Sequence, residues 1–189
     1  FAAHGAEWAA ARRVDGAEPT ADPRVDALGR IGLALTTIAV ALHVGGVVLR
    51  GLAAGRAPWG NMYEFVTTTL AIVGVGYVAA ALSGRLRWLG LPVTGLLVIG
   101  QGLAVTVLYV AVSPLVPALH SVWFVIHIIA AATAGAMFNV GGLASVLYLV
   151  KARAERRGRV RGYLTRLPEP VALDRIAYRA SAFAFPLWT

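Results

Sequence analysis

Three observations predict an all-α, polytopic membrane helix bundle. The 189 residues are 58% hydrophobic and 14% charged, with a mean hydropathy of +0.71, whereas soluble domains hold roughly 45–50% apolar and about 25% charged residues. Four uncharged apolar runs, residues 31–49, 65–82, 91–112 and 121–150, each approach or exceed the ~20 residues that cross about 30 Å of hydrocarbon. The basic residues fall in alternate connections between these runs. The prediction is four full transmembrane helices plus the start of a fifth, which opens near Ile176 and stops at Thr189. A water-soluble enzyme core and a disordered chain are excluded by the same numbers. The absence of cysteine removes disulfides, thiolate metal sites and cysteine nucleophiles.

Before the first run, residues 1–30 form a mixed-charge segment, read as a cytoplasmic tail. Its alanine-rich stretch Glu7-Trp8-Ala9-Ala10-Ala11-Arg12-Arg13 suits a short surface helix. The first run is too long for the apolar core of a signal peptide and lies behind that tail. Phe1 in place of a methionine, and Thr189 inside an apolar stretch, read as the ends of a piece of a longer protein.

Orientation follows from the basic residues. The tail holds four, the connection 83–90 two and the connection 151–175 eight, together 14 of the 17, while the opposite side has only Arg50 and Arg56. The positive-inside rule places the basic connections and the amino terminus in the cytoplasm of a plasma-membrane protein. It places loops 50–64 and 113–120 outside. The run Arg156-Arg157-Gly158-Arg159-Val160-Arg161 lacks aromatic interleaving and lies just beyond a span. It reads as a topology signal at the lipid bilayer, with no nucleic acid as partner.

Polar side chains within hydrocarbon are costly and point to function. They are His43 in the first run, Gln101 in the third, and His127 and Asn139 in the fourth. The fourth run is about 45 Å long as a helix, longer than the membrane core. Anchored at Lys151, it places His127 at the outer interface and His120 two turns further out. His43, seven residues before Arg50, also belongs to the outer half. Each histidine has two readings, a packed residue bonded to a neighbouring backbone or hydroxyl, or an imidazole ligand to haem iron. Trp123, one turn from His127, is a belt aromatic or a stacking wall. Asn61 followed by Glu64 fits a helix N-cap, with Trp59 and Tyr63 in the aromatic belt. Alternatively, that loop contacts a ligand, with Arg50 and Arg56 paired to haem propionates. No residue offers itself as catalytic.

The segment Pro58-Trp59-Gly60-Asn61-Met62-Tyr63-Glu64-Phe65 resembles the Asn-Met-Tyr-Glu loop of CcsA/ResC-type (CcsB-type) cytochrome c biogenesis proteins. Pro117-Ala118-Leu119-His120-Ser121-Val122-Trp123-Phe124-Val125-Ile126-His127 resembles that family's approach to its histidine-bearing helix. Ala172-Leu173-Asp174-Arg175-Ile176-Ala177-Tyr178-Arg179 and Phe185-Pro186-Leu187 resemble the approach to its tryptophan-rich segment. The resemblance implies that residues 31–189 are a transmembrane cytochrome c assembly domain, incomplete at its C-terminal end. It implies a system II haem lyase subunit that binds haem b and works with a ResB-type partner. The pair would present haem at the outer face for thioether attachment to apocytochrome c. By position His127 matches the first of two haem-ligating histidines. His120 matches no family position, and His43 lies where members often have a histidine without a defined role. The candidate cofactor-binding set is therefore His127, the iron ligand, with His43, Trp123, Trp59, Asn61 and Glu64. The tryptophan-rich motif and second histidine are not in this sequence. A haem exporter without ligation activity, and a structural subunit with packed histidines, are the rival readings.

Overall fold

A computed structural model describes residues 1–13, 23–84, 86–114 and 121–189. They form six α-helices: α1 (Ala2–Arg13), α2 (Pro23–Ala54), α3 (Met62–Leu82), α4 (Gly90–Thr106), α5 (Val122–Arg156) and α6 (Pro170–Trp188). One-turn 3-10 helices, Arg87–Leu89 and Gly162–Thr165, lead into α4 and lie between α5 and α6. No strand occurs among the described residues. Four helical segments, α2, α3, Arg87–Thr106 and α5, are long and apolar enough to cross a membrane. This is the predicted bundle.

Helix α3 is central. It packs against α2, α4 and α5, and α6 lies along α5. The core, with Leu33, Val73, Tyr77, Ala81, Leu89, Val93 and Ala136, is set where α2, α3, α4 and α5 meet. Small residues make these approaches possible, as expected where lipid supplies no hydrophobic drive between helices. A Cβ at Gly141 would lie 3.0 Å from Ser181 Oγ and 3.3 Å from the Ala177 carbonyl, so α5 and α6 meet backbone to backbone there. Large apolar side chains such as Ile38, Leu49, Ile99 and Leu149 are exposed on the outside of the bundle, the pattern of a lipid-facing surface.

Hydropathy misplaces some boundaries. Helix α2 starts at Pro23, not at the first apolar residue, because proline suits the first helical turn and Asp26 complements the helix dipole there. Much of the expected tail is thus helix. Helix α1 does form, but it is no surface helix: His4 is buried and its Nε2 lies 3.3 Å from Thr36 Oγ1. The third run is helical only to Thr106, and residues 107–114 leave the helix. The fifth run opens inside α6, which begins earlier, with Pro170 in its first turn. Leu173, Ala177, Ala180 and Ala184, buried at helical spacing, face the neighbouring α5.

The basic connections gather at one end. Arg166, after the Gly162–Thr165 turn, pairs with Glu7 of α1 at 3.3 Å, and the Trp8 and Tyr163 rings lie 5.8 Å apart. Lys151 is only 6% exposed, and its ammonium donates to the Leu167 and Pro168 carbonyls at 2.7 and 3.0 Å. That lysine fastens the α5–α6 connection under the bundle. Lys151→Met removes two charge-assisted bonds and should lower stability by about 1.5–3 kcal/mol. A lower unfolding midpoint in detergent micelles is the expected readout; an unchanged midpoint would show that the connection holds without it.

Candidate functional site

The other end of the bundle is built around one acidic residue. Glu64 is the only Asp or Glu between Asp26 and Glu155, and Arg50 and Arg56 are the basic residues nearest to it in sequence. Gly55, with φ of +62°, turns the chain out of α2. Asn61, in extended backbone, caps α3, its side-chain oxygen accepting the Glu64 N–H at 2.9 Å. The Glu64 carboxylate folds back and accepts the Gly60 N–H at 2.7 Å, one residue before the N-cap.

That carboxylate is fully buried and held by two guanidiniums. Arg50 Nε donates at 3.0 Å and Arg56 Nη1 at 2.7 Å, with Arg56 Nη2 at 3.5 Å. The arginines have further partners. Arg50 Nη2 donates to the Val110 carbonyl at 2.7 Å, and Arg56 to the carbonyls of Ala57 and Ser113 at 3.1 and 3.2 Å. The Tyr63 ring lies 5.3 Å from the Arg50 guanidinium and meets Tyr109 edge-on. A Cβ at Gly60 would fall 2.6 Å from the Arg56 guanidinium, so only glycine lets the arginine lie across that turn. Thr68 Oγ1 donates to the Pro58 carbonyl at 3.0 Å and ties the loop to α3.

Below this cluster, α2, α3 and α4 line an open-sided cavity of about 940 Å³. Its walls are largely apolar, including Leu35, Val40, Leu97 and Val105, and Arg50 and Tyr63 lie among its lining residues. Two polar side chains face it from opposite helices, His43 on α2 and Gln101 on α4. His43 Nε2 and Gln101 Oε1 are buried and have no hydrogen-bond partner. Buried polar atoms are nearly always paired, so two orphans in one cavity make it the candidate ligand site. The volume is at the upper end of the about 300–1,000 Å³ typical of ligand pockets.

The structure thus places His43 in the cavity and Glu64 with Asn61 in the charge cluster above it. Trp59 is half-buried in the same loop. His127 and Trp123 are elsewhere, on the first turns of α5, both exposed and one turn apart. Among the described residues none from α5 lines the cavity, so His43 and His127 do not share it. His120 lies outside the described residues. Asn139 bonds its own helix, donating to the Gly135 carbonyl at 2.8 Å. The arginines offered to propionates are instead committed to Glu64 and to backbone carbonyls. A lone acid beside the only two arginines of that side signalled the pairing; nothing signalled that residues 107–114 would supply its other partners.

Fold and site together define a multi-pass α-helical membrane protein with a ligand-sized cavity beneath a buried charge cluster. The cytochrome c assembly protein family matches residues 31–189, and the chain belongs to that family. It is similar to "Cytochrome c biogenesis protein CcsA" from several organisms. Identity is 28% over 137 residues in a Picosynechococcus species (71% of this chain, 40% of the relative). It is 29% over 155 residues in a Synechococcus species (78% and 44%), and 30% over 139 residues in Nostoc punctiforme (70% and 38%). The matched region spans less than half the length of these relatives. No solved structure matches the chain significantly.

Removing one partner of a buried ion pair strands the others, at a cost of about 3–5 kcal/mol. Glu64→Ala should lose stability on that scale, with α3 fraying at its first turn and residues 107–114 released. Arg50→Lys, which leaves Arg56 and the Gly60 N–H in place, should cost less. Unfolding in detergent and hydrogen exchange across 55–64 and 107–114 check both; equal, small losses would show that the cluster is not the fastening.

Proposed function

We propose that the protein takes part in cytochrome c biogenesis as a membrane subunit that binds haem and presents it at the outer face of the plasma membrane, with the basic end cytoplasmic. The observation that carries this reading is the orphaned His43 Nε2 in an apolar, ligand-sized cavity. A flat apolar macrocycle suits such walls, and a neutral imidazole nitrogen suits its iron. Bound haem b would supply vinyl groups for thioether formation with the thiols of apocytochrome c. The reacting sulfurs would be those of the client, a reading with which the absence of cysteine from these residues is consistent.

The protein's own part is binding and orientation. His43 offers the ligand atom within the cavity, Gln101 a polar group across from it, and the Glu64 cluster a rigid roof. His127 and Trp123, exposed near the end of α5 that lies away from the basic connections, offer a second imidazole and a ring to haem at the outer interface. A ResB-type partner and apocytochrome c would meet that surface. The Arg50–Glu64–Arg56 cluster favours a structural role for Glu64, whose carboxylate oxygens are taken within it, and for the Asn61 side-chain oxygen, which caps α3.

The test is haem content, absorption spectrum and cytochrome c maturation in the full-length protein with its partner. His43→Ala should lower bound haem at least about tenfold, since even outer-shell partners of a metal carry 10–100-fold. His127→Ala should leave cavity haem and its spectrum in place but cut maturation, by removing the imidazole offered to haem at the outer interface. Stoichiometric haem in the His43 variant would remove the cavity from the proposal. Unaltered spectra and maturation in both variants would favour packed histidines.

A further inference from the structure

A second cavity, of about 310 Å³, lies at the basic end between α1, α2, the α3–α4 connection and the Gly162–Thr165 turn. Tyr77 and Tyr163 face it from elements far apart in sequence, each less than 10% exposed. Neither hydroxyl has a hydrogen-bond partner, and Tyr77 lies near enough to bear on the ionisation of Tyr163. Burial, and then Glu7, pushes the Tyr163 pKa well above the ordinary phenol value, so that group stays an O–H donor. Two buried donors in one pocket are costly unless a ligand accepts from them.

The charged groups around them set the sign. Arg30 and Arg87 are exposed at the rim, and Arg166 is half-buried. Glu7 is occupied, pairing with Arg166 at 3.3 Å and lying 3.4 Å from His4 Nδ1. The exposed Asp26 is the remaining acid. Phenolic hydroxyls at the base and guanidiniums at the rim present donors, so the matching ligand brings several acceptor oxygens and negative charge. The cavity is a third the size of the His43 cavity, and Trp88 lines it too, as an aromatic of a membrane boundary.

We propose that this cavity binds a phosphate group, with Tyr77 and Tyr163 donating to its oxygens and Arg30 and Arg87 neutralising it. Guanidiniums match phosphate oxygens in a forked geometry, and a basic membrane boundary concentrates anionic lipid. The group is that of a phospholipid head group or of a soluble phosphate ester. Asp26 would take the ammonium of a zwitterionic head group. This site is independent of haem.

The experiment uses full-length protein, delipidated in neutral detergent, with three probes: inorganic phosphate, phosphatidylglycerol and phosphatidylethanolamine. Lipid retention is read by native mass spectrometry, and the melting temperature with and without each probe. Wild type should retain or be stabilised by at least one probe. Tyr77→Phe/Tyr163→Phe, which keeps both rings, should bind that probe at least tenfold more weakly while melting no lower than wild type without it. Arg87→Gln should also weaken binding and serves if the double variant misfolds. Response to lipid alone identifies a head group, and equal response to inorganic phosphate identifies a soluble ester. If no probe binds wild type, or wild type and the variants bind equally, the proposal fails.

Discussion

The bundle depends on how a carboxylate is kept ionised inside it. Glu64 has no access to solvent, and a bare carboxylate there would cost several kcal/mol in lost hydration. Two arginines and a backbone N–H replace that water. Each partner arrives from a different place: Arg50 from the last turns of α2, Arg56 and Gly60 from the α2–α3 loop. Because the arginines have donors to spare, the same cluster captures the carbonyls of Val110 and Ser113 beyond α4. One buried charge therefore fixes the ends of three membrane helices. Arg50 and Tyr63 also line the His43 cavity, so the cluster acts as its roof. That roof explains how a cavity of this size persists between helices that are elsewhere in close contact.

The basic end is fastened by other means. Its charges are mostly exposed, and exposed pairs contribute little. Order there comes from burying a few polar groups against backbone carbonyls and rings, as with Lys151 under Leu167 and Pro168, and Trp8 against Tyr163. The two ends differ in what they leave unsatisfied. An imidazole nitrogen and an amide oxygen face the larger cavity, and two hydroxyl donors face the smaller.

The spans were legible because length and hydropathy are decided by the bilayer, residue by residue. Helix ends were not, because capture by a distant group decides them. Residues 107–112 are as apolar as the helix before them, yet Ser113 precedes Pro114, which disfavours helix at that position. Arg50 and Arg56 then give the Val110 and Ser113 carbonyls partners outside any helix. The N-cap at Asn61 was legible, since the capping side chain and the Glu64 N–H it accepts are only three residues apart. The burial of α1 was not: its sequence has no apolar stripe, and what buries it is one histidine fitting a slot. At the site, chemistry singled out His43 and His127 as polar groups to be explained. Their separation into a cavity and an exposed helix face depends on the packing of α5, which no local pattern encodes.

That slot also determines how the two cavities relate. A Cβ at Gly32 or Gly90 would fall 2.6–2.8 Å from the His4 ring, so glycines of α2 and α4 are what admit it. On one side the ring touches Thr36, which lines the larger cavity; on the other it lines the smaller one. Thr36 also donates to the Gly32 carbonyl at 2.7 Å, which fixes the hydroxyl and leaves its oxygen to meet His4. The imidazole is thus buried between α2 and α4, whereas Phe1, at the edge of the larger cavity, is exposed. Each cavity presents its own set of unpaired atoms: an imidazole nitrogen and an amide oxygen in one, two hydroxyls in the other.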